Sequence, residues 1–305
     1  MDAYFNQFIE NITLTEDQCS DAQTKYQNVA FKLQKKYYPS LTDYDPSKKF
    51  LFGSYKTKTN VRPLTEDQDV DLLYKLPKDE FYRFVNRKCN GAADLLHEIA
   101  SYLKDSFPTT ENIKGWINVV LIEFSEHHHN IEMLPAFEKE DGTFIIPNSK
   151  DGGSFETIDL RKQLEKFSES NKATNGLTRT LAKMFKAWDH NTKSMNYSSF
   201  MRLEHIIDFL NQIYPNGKED YQYSQIILDY FWFIRNYNLC VSENLTYVNT
   251  AITRAQNAIS YIDEGKFSKA SVEYQKIFGK EFPSAKDSEK SFNPKLVQRI
   301  SPWSN

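Results

Sequence analysis

Two aspartates separated by one residue, Asp69 and Asp71, are the side chains whose spacing most directly suggests chemistry. Side chains alternate faces along a β-strand, so both carboxylates would project to one side while Val70 and Leu72 project into a core. Carboxylate oxygens suit Mg²⁺, and a pair of such ions can activate an attacking hydroxyl and stabilise a leaving pyrophosphate. The same triplet is also found at solvated strand ends, so taken alone it leaves both interpretations open.

A Gly-Ser pair lies upstream, with fourteen residues between Ser54 and Asp69. Gly53 permits a turn whose backbone N–H groups approach a phosphate closely, and Ser54 adds a hydroxyl donor. Most Gly-Ser pairs are ordinary turns, but the combination with the two aspartates is more specific than either part. We therefore predict a site that holds a nucleoside triphosphate with divalent metal ions.

A metal site of this kind needs a third carboxylate, which also serves as base toward the attacking hydroxyl. In the segment NIEMLPAF, Ile131 and Met133 can point into a core while Glu132 faces the other way. We predict that Glu132 completes the site. Glu123 is the main rival and Asp159 a weaker one, and a surface charge on an edge strand is the alternative interpretation of Glu132.

The elements that must position these residues follow from the hydrophobic pattern. Residues 1–38 have a helical period with Thr15 as a candidate N-cap, and 81–106 have another. Strand patterns cover 50–76, 116–124, 130–137 and 142–147, and helical periods occupy almost all of the chain after about residue 160. The pattern predicts an α+β lobe over 1–160, whose first helix could bridge both lobes, a helical lobe over 161–290, and a flexible tail over 291–305.

The composition of the 305-residue chain limits the partners that we expect. A formal charge of −3 gives no global excess of Lys and Arg for binding a long nucleic acid template. No signal peptide or membrane-spanning apolar run is evident, and three widely spaced cysteines indicate neither a disulfide framework nor a zinc site. We expect a cytoplasmic protein that does not associate with membranes.

The order of these motifs resembles that of a known family. Gly53-Ser54, Asp69-x-Asp71 and then IEMLPAF are similar to the DNA polymerase β-like nucleotidyltransferases, and specifically to the bacterial CD-NTases, the relatives of cyclic GMP-AMP synthase and oligoadenylate synthase. The resemblance continues through LAKMFKAWDHNTK, SSFMRLEHIIDFL and KIFGKEFP. The family usually has Asp as its third acid, and the additional methylene of Glu132 moves the carboxylate outward by roughly 1 Å.

The resemblance implies further site residues in the helical lobe, across a cleft from the acids. On the helix 176–190, Lys186 matches the family's phosphate-binding lysine, with Lys183 as a helper. Arg179 and His190 fall within about 60° of these lysines on a helical wheel, which predicts a cationic face opposite a buried one. Ser198 and Ser199 are candidate N-caps of the next helix. The family's serine that reaches the triphosphate matches Ser199, and the aromatic residue that stacks on the donor base matches Phe200.

The function implied by the resemblance is synthesis of a cyclic di- or trinucleotide second messenger from NTPs. The reaction would use two Mg²⁺ ions, or Mn²⁺, in bacterial anti-phage (CBASS) signalling. Implied partners are an effector that the messenger activates and accessory CBASS proteins, and we expect a monomer. Two alternatives stay open: a nucleotidyltransferase that modifies a protein or an RNA 3′ end, and a degenerate member that binds a nucleotide without turnover.

Two remaining groups of residues have simpler interpretations. His127, His128 and His129 are consecutive and point in different directions on a turn, so a solvated hairpin is expected in place of a metal site. Three tryptophans within apolar periodic segments are expected to be packing residues: Trp116, Trp188 and Trp232.

Overall fold

The computed structural model describes residues 1–64, 69–110, 112–124, 128–192, 195, 197–215, 221–239 and 242–287. The chain divides into two compact units, of which one is Leu14–Lys166 and the other joins Met1–Thr13 to the described residues from Phe167 onward. This division falls six residues beyond the predicted boundary at 160 and groups the first helix with the helical unit. The predicted tail, 291–305, lies outside the described residues.

The described residues form seven strands and eleven α-helices. The strands are β1 Lys49–Leu51, β2 Asp69–Lys75, β3 Asn112–Trp116, β4 Val119–Glu123, β5 Asn130–Glu138, β6 Phe144–Asn148 and β7 Ser154–Ile158. The helices are α1 Asp2–Ile12, α2 Glu16–Tyr37, α3 Gly53–Thr57, α4 Lys78–Val85, α5 Gly91–Ser106, α6 Leu160–Ala173, α7 Leu177–Asn191, α8 Ser199–Ile213, α9 Tyr223–Asn236, α10 Leu245–Asp263 and α11 Phe267–Phe278. None of the described helices is both long enough and apolar enough to cross a membrane.

All seven strands belong to one mixed sheet in the Leu14–Lys166 unit. Its main order is β1-β2-β5-β4-β3, and β6 pairs with β5 and β7 beyond this path. The central pair, β2 and β5, is parallel, whereas the other pairs are antiparallel. The α+β class and the mixed sheet are as predicted.

One face of the sheet carries the main core of this unit. Val70 and Leu72 of β2 and Ile131 and Met133 of β5 are fully buried there, with buried residues of α2 and α5 in the same cluster. Helix α2 begins at the predicted cap: the Thr15 hydroxyl accepts from the backbone N–H of Gln18 in a capping box. Half-buried and buried residues alternate from Asp69 to Leu72 of β2, as the sequence predicts, whereas Leu73 and Tyr74 are both buried.

The segment WINVVLIEF differs from its prediction as one strand. Ile117 has a left-handed backbone (φ 54°), and the chain reverses through Ile117 and Asn118 between β3 and β4. The prediction failed because Ile and Val disfavour such a turn, and the apolar run contains no Gly or Pro to mark it. The packing role of Trp116, at the end of β3, was also wrong, because this side chain is 58% exposed.

The helical unit has its own aromatic core. Trp188 of α7 packs against Phe231 of α9 at 4.8 Å between ring centroids, which confirms its predicted packing role. Phe5 of α1 packs against Tyr274 of α11 at 4.8 Å. Because α1 and α11 share this cluster, the first helix of the chain is part of the same core as the last one.

Candidate active site

The parallel pairing of β2 with β5 brings the predicted acids together. Asp71 is the register partner of Glu132, and Asp69 is the partner of Asn130. Register partners on neighbouring strands share a face, and Asp69 lies on the same face of β2 as Asp71 because side chains alternate. All three acids are therefore on one face, opposite the main core.

The environment of Glu132 differs from that of an exposed edge-strand charge. Glu132 is half-buried, and desolvation raises the pKa of its carboxyl. Farther along the same face, Leu73 of β2 and Leu134 of β5 belong to a second apolar cluster. The acids thus occupy the start of both strands, followed on that face by the apolar Leu73 and Leu134 and then by the ion pair of Lys75 with Glu138.

Gly53 lies directly against the acids, at the start of the short helix α3. Its φ is +62°, and a Cβ added to it would lie 1.9 Å from Oδ2 of Asp71. The neighbouring Phe52 N–H donates to the carbonyl oxygen of Asp71 at 3.2 Å. Glycine is therefore required here for two reasons, its left-handed backbone and the approach of the Asp71 carboxylate.

Ser54 is tied to the loop that follows α3. Its hydroxyl donates to Oδ1 of Asn60, a side chain that is 1% exposed, and its carbonyl oxygen accepts from the Thr59 N–H at 2.8 Å. These bonds fix the backbone next to Gly53 and Asp71. The role of Gly53 and Ser54 toward a phosphate stays a prediction.

Neither rival of Glu132 occupies an equivalent position. Glu123, on β4, accepts from Asn112 and lies 3.4 Å from Nζ of Lys114 on β3. Asp159 is exposed, and its Oδ1 accepts from the Lys162 N–H at 3.0 Å, in the first turn of α6. Glu123 thus belongs to an ion pair on the β3–β4 hairpin, and Asp159 acts as a helix cap.

The histidine run before β5 is not a uniformly solvated turn, which corrects the prediction for this segment. His127 lies outside the described residues. His128 pairs with Asp21 of α2 at 3.0 Å, whereas His129 is 0% exposed and packs edge-on against Tyr55 of α3. A polar run contains no local signal for this, because the burial of one of its residues depends on which distant residues pack over it.

Three carboxylates form a donor set suited to a hard cation such as Mg²⁺. Among the residues that the structure describes, no three His, Cys, Asp or Glu side chains are grouped closely enough to hold a metal ion as they stand. Asp71 and Glu132 are nevertheless on adjacent strands, which lie about 4.8 Å apart, so side-chain rotation suffices to bring their oxygens together. Asp69, Asp71 and Glu132 therefore fit the predicted ion by ligand chemistry and strand register.

The predicted cationic face of α7 is not a solvated surface. Lys183 is 9% exposed and Lys186 is 4% exposed. Nζ of Lys183 donates to the Thr13 hydroxyl at 2.9 Å, at the C-terminal end of α1, where a cation is favourable. Burial, with the positive charges of Lys186 and Arg202, lowers the pKa of His190 to about 4. His190 is therefore neutral at physiological pH, and Lys186 provides a buried positive charge.

The first turn of α8 holds the other predicted residues. Ser198 is the N-cap, because its hydroxyl accepts from the Met201 N–H at 3.2 Å. Ser199 is exposed and is not the N-cap, and Phe200 is 54% exposed and not a core residue. That Lys183, Lys186, Ser199 and Phe200 contact a nucleotide stays a prediction.

One residue in this turn was missed by the sequence analysis. Arg202 is 3% exposed, pairs with Asp189 of α7 at 2.5 Å and donates to the Ser199 hydroxyl at 3.2 Å. A signal was available, because a cation in the first turn of a helix opposes the helix dipole and indicates a specific partner.

Comparison with known proteins identifies a matching family model and a relative of known class. A family model for the Second Messenger Oligonucleotide or Dinucleotide Synthetase domain matches residues 1–171. A probable cyclic nucleotide synthase of Bacillus cereus is 24% identical over 281 residues, which covers 77% of this chain and 82% of that protein.

Two solved structures share the fold. The Vibrio cholerae DncV cyclic AMP-GMP synthase, with a linear intermediate, has a TM-score of 0.70 at 11% identity and covers 92% of this chain and 96% of its own. The Escherichia coli CdnC structure with ATP has a TM-score of 0.64 at 16% identity. This match covers 92% of this chain and 98% of the CdnC chain. Both matches extend over most of the chain, including the helical part.

Replacement of Gly53 tests the close approach to Asp71. Gly152 has a φ of +91° with nothing within 4 Å of an added Cβ, so Gly152→Ala measures the left-handed penalty alone. We expect Gly152→Ala to cost about 1 kcal/mol of unfolding free energy. Gly53→Ala should cost roughly 1 to 3 kcal/mol more, because Asp71 must move. Equal losses in urea denaturation would show that Asp71 tolerates the methyl group.

The raised pKa of Glu132 predicts a stability effect of opposite sign to that of an ordinary paired acid. A carboxyl with a folded pKa above its unfolded value is destabilising when ionised, so stability falls as pH rises through that range. Without divalent ions, Glu132→Gln should therefore raise the unfolding free energy near neutral pH. The gain should vanish below about pH 4, where the unfolded glutamate is also protonated.

Glu138 on the same strand is the matched control. Burial acts to raise its pKa, but hydrogen bonds and charges from Lys75 and Arg161 outweigh burial and lower it. Glu138→Gln should therefore be destabilising near neutral pH, with the loss disappearing in acid. Denaturant titrations across this pH range would contradict the assignment if both variants changed stability in the same direction.

Proposed function

The chain belongs to the Second Messenger Oligonucleotide or Dinucleotide Synthetase family, and we propose that it joins NTPs into a cyclic di- or trinucleotide second messenger. As a CD-NTase, it is a nucleotidyltransferase with a cyclic nucleotide synthase as a relative. We propose further that the product is cyclic, that metal ions take part in its synthesis, that the residues named below act in it, and that the product is a signal. Its main support is the parallel register of Asp71 with Glu132, with Asp69 on the same face.

In the proposed reaction, Asp69, Asp71 and Glu132 hold two Mg²⁺ ions, for which Mn²⁺ can substitute. When bound, such ions neutralise charge on the triphosphate and favour ionisation of the attacking hydroxyl. A ribose hydroxyl oxygen of the acceptor nucleotide forms a bond to the α-phosphorus of the donor NTP. The bond from that phosphorus to the pyrophosphate oxygen breaks, and pyrophosphate leaves. Repetition of this step from the other end of the linear product closes the ring.

Glu132 is the proposed acceptor of the hydroxyl proton. Its carboxyl lies beside Asp71 in the strand register, on the face where the attacking hydroxyl would be held. Gly53 and Ser54 would hold the donor phosphates beside Asp71, because the glycine lets the backbone approach closely.

In the helical unit, Lys186 and Ser199 are the proposed clamps on the triphosphate. The burial of Lys186 supports this role, because a charge interacts more strongly with an anionic group in a buried site than in water. Phe200 is exposed and is proposed to stack on the donor base. Lys183 is proposed as a weaker helper, since its ammonium already donates to Thr13.

The signalling role is proposed from relatives. The Escherichia coli CdnC structures include one in complex with a HORMA protein, at a TM-score of 0.63 and 17% identity. We propose that this chain, as a cytoplasmic monomer in bacterial anti-phage (CBASS) signalling, works with accessory proteins and a separate effector that the messenger activates. No long nucleic acid template is required, in keeping with the net charge of −3.

The product assay tests the proposal directly. The protein is incubated with labelled NTP mixtures and Mg²⁺ or Mn²⁺, treated with phosphatase and analysed by mass spectrometry. We expect a phosphatase-resistant cyclic product whose rate of formation falls roughly 10³-fold in Asp71→Asn, because a metal ligand supplies several kcal/mol of transition-state stabilisation. Asp141→Asn, in the exposed turn between β5 and β6, is the matched control and should keep full activity.

Three outcomes would contradict the proposal. Absence of product with all four bases, with wild type equal to Asp69→Asn and Asp71→Asn, would exclude the synthase. Labelled nucleotide on a protein or RNA would indicate the macromolecular acceptor. Tight NTP binding without turnover, in the wild type and in Glu132→Asp, would indicate a degenerate member.

A further inference from the structure

Arg202 is a buried cation at an unfavourable place in its helix. It lies in the first turn of α8, where the helix dipole repels positive charge, and it is 3% exposed. Burial of a guanidinium is costly unless its N–H groups are paired. The groups that accept hydrogen bonds from this buried guanidinium therefore indicate its role.

Three groups accept from the guanidinium. Nη1 donates to Oδ2 of Asp189 at 2.5 Å and to the backbone carbonyl of Tyr197 at 3.4 Å. Nη2 donates to the hydroxyl oxygen of Ser199 at 3.2 Å. The planar fork of arginine makes this possible, because it presents several N–H groups in fixed directions. Arg202 thus links α7, the backbone before α8 and the Ser199 side chain.

The direction of the last bond determines what Ser199 can bind. A serine hydroxyl has one hydrogen to donate and two lone pairs that accept. An arginine can only donate, so the Ser199 oxygen is the acceptor in this pair. The hydroxyl hydrogen therefore points to another group, and Ser199 is exposed. This arrangement turns Ser199 into a donor toward an anionic ligand.

We propose that Arg202 is a positioning residue that fixes the Ser199 hydroxyl as a hydrogen-bond donor for the triphosphate of the donor NTP. Asp189 holds Arg202 in place and neutralises its charge, so the effect on the ligand passes through Ser199. The inference rests on the proposed function, because it assigns the ligand of Ser199 as an NTP. It adds a pair, Asp189 and Arg202, to the residues proposed to recognise the substrate.

A double-mutant cycle tests the proposal. We expect Ser199→Ala to raise the KM for NTP about 10-fold, the loss expected for one hydrogen bond to a charged group. Arg202→Lys keeps the charge beside Asp189 but lacks the fork, so it should also raise KM about 10-fold with a smaller change in kcat. If Arg202 acts through Ser199, the double variant should stay near 10-fold and not approach 100-fold.

Arg235→Lys is the matched control. Arg235 lies on α9 in the same unit, is exposed and contacts the Trp232 ring at 4.9 Å. The Arg235→Lys substitution should leave the KM for NTP and the melting temperature near the wild-type values. A multiplicative effect in the double variant would overturn the proposal, and so would an Arg202→Lys variant that behaves like Arg235→Lys.

A second variant covers the case in which Arg202→Lys does not fold. Asp189→Asn keeps an oxygen acceptor for Arg202 while removing the charge. It should raise the KM for NTP in the protein that retains Ser199, but not in the Ser199→Ala variant. Calorimetric binding of a non-hydrolysable NTP distinguishes a failure of the proposed function from a failure of the role of Arg202. No NTP binding by wild type would overturn both the inference and the proposed function. Normal synthesis with additive effects would overturn only the role of Arg202.

Discussion

The parallel pairing of β2 with β5 is the interaction on which the candidate site depends. One face of this pair buries Val70 and Leu72 against the main core, and that burial fixes the register. Because a slip by one residue would exchange the two faces, the core also determines that Asp71 and Glu132 lie side by side. The same hydrogen-bonded ladder that stabilises the unit thus places like charges next to one another.

Placing carboxylates together is unfavourable in the absence of a cation, and the neighbouring structure shows how the fold accommodates them. Gly53 leaves room for the Asp71 carboxylate, since any side chain would collide with it. Desolvation raises the pKa of Glu132, which reduces its charge at a given pH. An ionised Glu132 is destabilising in this desolvated position, and the cation proposed for this site would offset that cost.

The helical unit shows the opposite electrostatic situation. Lys186, Arg202 and the neutral His190 are concentrated around the junction of α7 and α8, and Asp189 is the carboxylate paired with Arg202. The positive charge is buried and not spread over a solvated face. Buried cationic side chains in this unit fit the anionic ligand proposed for it, as the carboxylates of the other unit fit the proposed cation.

Most elements and the common face of Asp69 and Asp71 could be predicted from the sequence, because helical and strand periods, the Thr15 cap and the alternation around Asp69 and Glu132 are properties of neighbouring residues. Only the tertiary structure decided that Glu132 and not Glu123 pairs with Asp71, that Lys186 and His129 are buried, that Gly53 contacts Asp71, and which groups Arg202 contacts. Each of these depends on residues distant in sequence that meet through strand register and helix packing. A local pattern does not encode such meetings, since the same pattern is compatible with several partners.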